Sequence, residues 1–183
     1  IRTDDGRVLP GDRATLARLR RCSSVLDAAF EPATVKLFGK LALRRDAPDF
    51  DKQIERVAAL AAVLAHVRQD VPDNKRSKVA LALGAPAGGK PEDALLKPVR
   101  FRALMAARTA DEVLTGFRRV VALLDRKANV RDLSRLILGW TDDEAGDRLR
   151  TRFAFDYHGA GDYAPPAASE PSPDPSHTST EKV

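Results

Sequence analysis

Apolar side chains recur at intervals of three and four residues along most of the chain, which is the spacing that places them on one face of an α-helix. In residues 52–68 the apolar positions are Ile54, Val57, Ala58, Ala61, Leu64 and Ala65. In residues 109–127 they are Val113, Leu114, Phe117, Val120, Val121 and Leu124. Both segments are predicted to be amphipathic helices that bury these positions.

Shorter helices are expected around these two segments. Asp12 is a suitable N-cap for a helix that ends at Arg21. A second predicted helix ends before Pro32, because the residue that precedes a proline avoids helical dihedral angles. These short helices are predicted at 24–30, 33–45, 78–83, 99–107 and 131–140.

Two capping boxes indicate where later helices begin. Thr109 is followed three residues later by Glu112, and Thr141 by Glu144. In this pattern the hydroxyl and the carboxylate each accept a backbone N–H in the first turn. The final helix is expected to begin after Thr141, and its inward positions are Leu149, Phe153 and Tyr157.

The composition favours helices over strands. The chain has 29 Ala, 21 Leu and 22 Arg among its 183 residues, and only three Ile. Ala, Leu and Arg lose little side-chain entropy in a helix, whereas strands favour β-branched and aromatic residues. The predicted fold class is all-α, and a parallel-sheet enzyme is disfavoured.

Glycine and proline divide the chain into parts. Residues 84–91 read Gly-Ala-Pro-Ala-Gly-Gly-Lys-Pro, which predicts a linker between two small helical bundles. The bundles are expected at 10–83 and 92–160, after a flexible N-terminus at 1–9. Residues 161–183 are rich in Pro, Ser, Thr and Ala and are predicted to be a disordered tail.

The linker also matches part of a phosphate-binding P-loop. Residues 84–90 fit its first seven positions, but Pro91 stands where Ser or Thr should hold magnesium. A P-loop also follows a buried strand, and residues 78–83 contain a single β-branched side chain, Val79. The sequence favours a flexible linker over a nucleotide site.

Residues with catalytic or metal-binding chemistry are dispersed. The three histidines, His66, His158 and His177, do not cluster with other metal ligands. Asp142 and Asp143 fit the first turn of a helix, where the helix dipole favours acids, better than an acid/base pair. The sequence therefore predicts no catalytic residue, no metal and no cofactor.

The single cysteine and the absence of a long apolar run suggest where the protein acts. Cys22 has no partner for an internal disulfide, which favours a reducing cytoplasm. The neighbouring Arg20 and Arg21 would lower its thiol pKa if they faced it, but a buried small hydrophobe is the preferred interpretation. No apolar run approaches the ~20 residues of a membrane span, so no membrane partner is expected.

The net charge indicates an anionic partner. It is +5 for the whole chain and rises to +7 without residues 164–183. Arginine outnumbers lysine 22 to 9, and its planar guanidinium can donate two hydrogen bonds to one phosphate. A high-GC genome would produce the same excess of arginine, and this alternative remains open.

Basic residues on the predicted helix faces form a candidate track for a phosphate backbone. Lys36, Lys40 and Arg44 recur every four residues and share one face of the helix at 33–45. Exposed aromatic residues are too few for a base-stacking surface, so backbone contact without base reading is predicted. The candidate residues are Arg20, Arg21, Lys36, Lys40, Arg44, Arg100, Arg102, Arg118, Arg119 and Arg131.

Six basic and helical motifs occur in a characteristic order between residues 12 and 157. They are Leu16–Arg21, Val99–Met105, Ala110–Val113, Phe117–Leu124, Asp132–Trp140 and Arg152–Tyr157. Their order and spacing resemble the CasB family, the small subunit of the type I-E CRISPR surveillance complex called Cascade. Family members carry Trp where this chain has Phe153, a change that is expected to preserve packing.

The resemblance implies a non-catalytic, all-α protein of two helical bundles. It also implies two copies side by side in a ribonucleoprotein with other Cascade subunits, where basic surface residues stabilise the hybrid of guide RNA and target DNA and the displaced strand. Carried onto this chain, the best matches are Arg100, Arg118 and Arg119, followed by Arg20 and Arg21. No catalytic group is needed, because base pairing reads the sequence and the protein supplies electrostatics.

Two other functions remain open at the level of sequence. Residues 109–127 and 131–140 could imitate a helix-turn-helix that presents Arg131 and Arg135 to a DNA major groove. Alternatively, the chain is a scaffold that binds only proteins, and its arginines pair with acids on those partners. A nuclease or an ATPase has the least support.

Overall fold

The computed structural model describes residues 12–41, 46–74, 76–86 and 88–159. The predicted flexible N-terminus at 1–9 and tail at 161–183 lie outside these residues, as does Arg44. The helices of the described part are α1 (Arg13–Arg21), α2 (Val25–Ala29), α3 (Pro32–Lys40), α4 (Phe50–Leu64), α5 (Val79–Leu83), α6 (Pro98–Ala106), α7 (Ala110–Leu123), α8 (Val130–Trp140) and α9 (Ala145–His158). The predicted all-α fold is confirmed.

Short polar side chains start several of these helices. The Asp12 carboxylate accepts the Thr15 N–H at 3.0 Å and so caps α1. The predicted capping box of Thr109 and Glu112 is present at the start of α7. The box predicted for Thr141 and Glu144 is wrong, because Glu144 itself is the N-cap residue and makes no side-chain cap.

The start of α9 is capped by a different residue. One carboxylate oxygen of Asp142 accepts the N–H groups of Glu144 at 3.1 Å and Ala145 at 2.8 Å. These bonds hold the pKa of Asp142 below its usual value. The prediction that Asp142 lies in the first turn of a helix is wrong, because α9 begins at Ala145; Asp142 lies in the turn before it and caps the helix start directly.

Helix α4 lies at the centre of the fold. Seven consecutive residues, 57–63, are buried, so this helix is enclosed on every side and not only along the predicted stripe. It packs against α1, α2, α3, α7 and α8. The small side chains of Ala58, Ala59 and Ala62 let these neighbours approach closely, which explains why an alanine-rich helix occupies the core.

The largest cluster of buried side chains draws on both sides of residues 84–91. Val25 and Ala58 come from the first half, and Phe117 and Trp140 from the second. Helix α4 packs directly on α7 and α8, across the predicted division. The two bundles at 10–83 and 92–160 remain a prediction about separate folding units; in this structure they share a core.

Aromatic side chains fill the core between α6, α7, α8 and α9. Phe153 packs edge-on against Trp140, with ring centroids 5.2 Å apart, and stacks on Phe101. Phe101 and Tyr157 stack at 4.1 Å, and the Tyr157 hydroxyl donates to the Leu96 carbonyl at 2.7 Å. The predicted inward positions Phe153 and Tyr157 are thus confirmed.

A two-residue parallel pairing joins the ends of α4 and α7. Strand β1 (Gln69–Asp70) pairs with β2 (Lys127–Ala128). The turn before β2 needs positive φ at Asp125, 51°, and at Arg126, 61°, which is uncommon for residues other than glycine. The pairing is too short to change the helical fold class.

Candidate nucleic-acid interface

Helices α6 and α7 border a surface groove that contains two of the predicted arginines. Arg100 on α6 and Arg119 on α7 both line this cavity of about 390 Å³. Both residues are exposed, and no carboxylate pairs with either guanidinium within the described ranges. The structure therefore brings together two cations that the sequence places on separate helices.

The acids in the same groove are already engaged by backbone groups. Asp111 accepts the Val25 N–H at 2.7 Å. Glu112 accepts the N–H groups of Arg108 and Thr109 at 2.8 and 3.0 Å, and these bonds lower the pKa of Glu112. Asp111 thus holds the start of α2 and Glu112 the start of α7, and neither carboxylate forms an ion pair with Arg100 or Arg119 in the described residues.

Gly116 brings the walls of the groove close together. A β-carbon at this position would lie 2.7 Å from a methyl group of Leu104. The absence of a side chain lets α7 pack closely on α6, which sets Arg100 and Arg119 on adjoining walls of one cavity. Leu104 is buried and contributes to the apolar lining of the groove.

Arg118, the neighbour of Arg119, points in a different direction. Its guanidinium donates to the Leu19 carbonyl at 3.3 Å, and its Nε atom is buried without a hydrogen-bond partner. Burial lowers the pKa of Arg118. Arg118 therefore connects α7 to α1, and its side chain is only partly available to a nucleic acid.

A cluster of positive charge lies beside Arg118. Arg20 donates to the Ala65 carbonyl at 2.5 Å and is partly buried. The half-buried His66 has its pKa lowered by burial and then by Arg118, Arg20 and Arg126. Because the charged form of His66 is disfavoured by all four causes, this histidine is held neutral near pH 7.

The other candidate residues fall into two groups. Lys36 and Lys40 are exposed on α3, and Arg102 is exposed on α6; no partner binds them among the described residues. Arg21 donates to the Ala17 carbonyl of its own helix, and Arg131 pairs with Asp73 at 3.2 Å. Arg44, the third member of the predicted face on α3, lies outside the described residues.

Several arginines that contribute to the net charge bind carbonyl and carboxylate groups inside the protein. Arg56 on α4 reaches Asp142 at 3.5 Å and the Thr141 carbonyl at 3.2 Å, which ties α4 to the α8–α9 turn. Arg150 is buried and donates to the Trp140 carbonyl and to Asp147. The excess of arginine therefore has a packing role as well as an electrostatic one.

The surface of α9 carries residues that the sequence analysis did not select. Arg148 and Arg152 are exposed there, and so is Phe155, with 74% of its surface accessible. The sequence predicted too few exposed aromatic residues to contact bases, and this residue is an exception. Its position i+2 from the buried Phe153 was the available signal, because a helix turns about 200° over two residues.

The remaining chemistry of the described residues matches no catalytic site. Cys22 is buried, and burial is the main cause that raises its thiol pKa; the arginine that opposes this rise is Arg118, and its effect is smaller. Residues 84–90 follow helix α5 and precede a short 3₁₀ turn at Pro91–Asp93, where a P-loop would have a strand and an α-helix. No group of three metal-ligating side chains is found within the described part of the chain.

Across the described ranges, no helix combines the length and the apolar surface needed to cross a bilayer.

Comparisons with known proteins identify the family. The chain matches the family model of CRISPR-associated protein Cse2 over residues 15–158. No curated protein and no solved structure matches it. The match covers all nine helices of the described residues except the first two positions of α1, and it confirms the resemblance to the CasB small subunit. The chain therefore belongs to the CRISPR-associated Cse2 family, whose members are subunits of Cascade.

Proposed function

We propose that this chain is the non-catalytic small subunit of a type I-E Cascade complex in the cytoplasm. In that role it contacts the backbone phosphates of the guide RNA–target DNA hybrid and of the displaced strand. Its partners are the other Cascade subunits, a second copy of itself and the two nucleic acids, and it needs no membrane and no cofactor. The best support is the groove that Arg100 and Arg119 both line, in which the acids Asp111 and Glu112 accept backbone N–H groups and pair with neither arginine.

Phosphate contacts of this kind have a large effect because strand exchange is nearly balanced in energy. The RNA–DNA hybrid that forms is about as stable as the DNA duplex that it replaces. A few hydrogen bonds from protein to backbone, each worth about 1 kcal/mol, then decide whether the open loop persists. Arg100, Arg119, Lys36, Lys40 and Arg102 supply cations without internal partners in the described residues.

The helix-turn-helix alternative has less support. The second helix of that motif would be α8, with Arg131 and Arg135 as its reading residues. Both are in ion pairs, Arg131 with Asp73 and Arg135 with Asp132 at 2.8 Å. Base readout would first have to break these pairs, whereas Arg100 and Arg119 are free to bind.

The decisive experiment compares assembled complexes that contain wild-type protein or the double variant R100A/R119A. We expect the variant to assemble normally but to hold target DNA in an open loop about ten to thirty times less tightly, from two lost contacts of about 1 kcal/mol each. The measurement is the lifetime of the open loop, followed by protection of the displaced strand from a single-strand-specific probe.

The matched control is the double variant K52A/K127A, which removes the same charge. Lys52 and Lys127 are exposed and are paired with Asp143 and Asp125. This control is expected to leave the open loop close to wild type. An R100A/R119A complex with wild-type loop lifetime would refute phosphate binding by the groove and favour the protein-only scaffold.

A further inference from the structure

Phe155 is exposed on a helix whose other aromatic residues are buried. Phe153 and Tyr157 point into the core and are 2% and 4% accessible, whereas Phe155 is 74% accessible. The core of α9 is complete without it. Single exposed apolar side chains are common on protein surfaces, so the chemistry of the residues around Phe155 indicates what this ring can bind.

Two exposed arginines that form no internal ion pair share the face of α9 that bears Phe155. Arg152 lies three residues before Phe155, and Arg148 lies four residues before Arg152, so the three side chains follow one another along the helix surface. Neither arginine forms an ion pair in the described ranges, although Arg148 is near enough to Asp142 to help lower the pKa of that acid. An exposed aromatic ring flanked by two guanidinium groups outside ion pairs presents one stacking surface and two phosphate donors.

The acids on the same helix do not neutralise these cations. Asp147 pairs with Arg150 at 2.5 Å, and this contact lowers the pKa of Asp147. Asp156 pairs with Lys78 at 2.8 Å from across the groove between α5 and α9. The local surplus of positive charge is therefore carried by Arg148 and Arg152.

The face is concave and continues beyond α9. Arg148, Thr151, Arg152 and Phe155 line an open cavity of about 590 Å³ together with Lys78 and the two acids Asp147 and Asp156, which pair with Arg150 and Lys78. Lys78 and Arg152 also line an adjoining cavity that contains Arg135. Lys78 and Arg135 pair with Asp156 and Asp132, so the cations of this surface that form no ion pair are Arg148 and Arg152.

We propose that Phe155 stacks an unpaired base of single-stranded nucleic acid, while Arg148 and Arg152 bind its flanking phosphates. This inference rests on the proposed function and assigns one surface of the chain to single strands. A duplex is excluded as the occupant because its base faces are already stacked, whereas every unpaired base offers a ring to an aromatic side chain. We call the surface of Arg148, Arg152 and Phe155 the α9 platform.

The surroundings of Phe155 favour a nucleic acid over a protein partner. Leu26, Phe30 and Val35 are also exposed, but they lie on α2 and α3 as several apolar residues near the acids Asp27 and Glu31. Phe155 is the sole large apolar side chain exposed on α9, and its neighbours on the platform are cations. Charge complementarity therefore points to a polyanion with exposed rings.

The first test uses the full chain carrying F155W and measures tryptophan fluorescence. The wild-type chain has one tryptophan, Trp140, which is fully buried. Single-stranded oligothymidylate is expected to quench the new fluorescence at low salt, and duplex DNA of the same length is not. The matched control is F30W, at a phenylalanine that is 77% accessible and has no flanking free arginine on its helix; its fluorescence should not be quenched.

The second test measures affinity for the same oligonucleotide. Loss of one stacked base is expected to weaken single-strand binding about tenfold in F155A and to leave duplex binding unchanged. F30A should bind both nucleic acids like the wild type. Circular dichroism confirms that each variant remains folded, which is expected because neither side chain is buried.

The outcomes separate this inference from the proposed function. Unchanged single-strand affinity in F155A, together with no quenching in F155W, overturns the platform even when R100A/R119A weakens the open loop as expected. If F155A instead lowers incorporation into the Cascade assembly while oligonucleotide affinity stays constant, the platform binds a protein and the inference is wrong. A wild-type chain that binds no single strand also overturns it, and the open-loop experiment then decides the proposed function alone.

Discussion

The guanidinium of Arg118 donates to the main-chain carbonyl of Leu19 at 3.3 Å, so this cation joins α7 to the end of α1. Arg119, the next residue, is exposed in the groove of Arg100. Two adjacent arginines, which the sequence could not distinguish, thus have different roles. One stabilises the fold, and the other is available to a phosphate.

Substitution of Arg118 is expected to affect stability more than binding. R118A removes a hydrogen bond from a charged donor and leaves the Leu19 carbonyl without it, which should lower the free energy of unfolding by about 1–2 kcal/mol. The adjacent R119A is the control and should change stability by less than about 0.5 kcal/mol, as is usual for an exposed site. Urea denaturation of both variants measures the difference, and equal stability would contradict the assigned role of Arg118.

Gly146 is expected to tolerate no side chain. A β-carbon there would lie 2.8 Å from the Trp140 carbonyl oxygen, and backbone cannot move aside as a side chain does. G146A should therefore destabilise the protein by about 1–3 kcal/mol, as overpacking does.

Gly39 provides the opposite case for comparison. It lies in α3, and a β-carbon at this position would meet no other atom within 4 Å. G39A should stabilise the protein by about 0.5–1 kcal/mol, because alanine loses less backbone entropy in a helix. Thermal melting of both variants tests the pair, and a G146A protein as stable as G39A would refute the predicted contact.

The stability of the protein is expected to depend on His66 in mild acid. The folded state holds the pKa of His66 below its ordinary value of 6.5, first by burial and then by Arg118 and Arg20. Below pH 6.5 the unfolded chain therefore binds a proton that the folded chain does not, and the free energy of unfolding falls as the pH falls. Above pH 7 both states carry a neutral His66, and this contribution is constant.

The variant H66L should lose this dependence. Between about pH 7 and pH 5 its free energy of unfolding should fall less steeply than that of the wild type, since no proton binds at position 66 in either state. H158L, at an exposed position on α9, is the control for removal of a histidine. Denaturation at several pH values gives the slopes, and an H66L slope identical to the wild type would contradict the prediction.

Asp132 is expected to be the most sensitive acid in the described residues. Its buried carboxylate accepts the Val79 N–H at 2.9 Å and pairs with Arg135 at 2.8 Å, which fastens the start of α5 to α8. D132A leaves a buried N–H without a partner and should cost about 2–3 kcal/mol. D143A is the control, because Asp143 pairs with Lys52 at an exposed site where such a pair contributes less than about 1 kcal/mol.

Urea denaturation of D132A and D143A compares the stability contributed by the buried Asp132 with that contributed by the exposed Asp143. D132N retains an oxygen that can accept from Val79 and should fall between D132A and the wild type. A loss in D132A no larger than in D143A would show that the Val79 contact does not contribute to stability.

Local patterns predicted most of the helices and one of the two capping boxes. The stripe from Val113 to Leu124 is buried along α7, and Thr109 caps that helix as expected. The second box was wrong because Asp142, in the turn before α9, accepts the Glu144 N–H that the Thr141 hydroxyl was predicted to accept, and the Ala145 N–H as well. A short polar side chain one or two positions away can accept the same first-turn N–H group, and residue spacing alone does not show which side chain caps the helix.

The orientation of the cations could not be predicted in the same way. Periodicity indicates on which side of its own helix each of Arg118, Arg119 and Arg100 lies. It does not indicate which neighbouring helix packs against that side. Arg118 meets the end of α1, a contact between residues far apart in the chain. Arg100 and Arg119 meet at one groove because Gly116 allows α6 and α7 to approach closely.

The sequence by itself determined the helical fold class, the positions of the main helices and the family, because helix period, capping chemistry and motif order are properties of neighbouring residues. Tertiary structure alone decided which arginines are engaged inside the protein and which form no internal ion pair. These properties depend on contacts between distant segments, whose geometry is determined by packing around α4 and not by any local pattern.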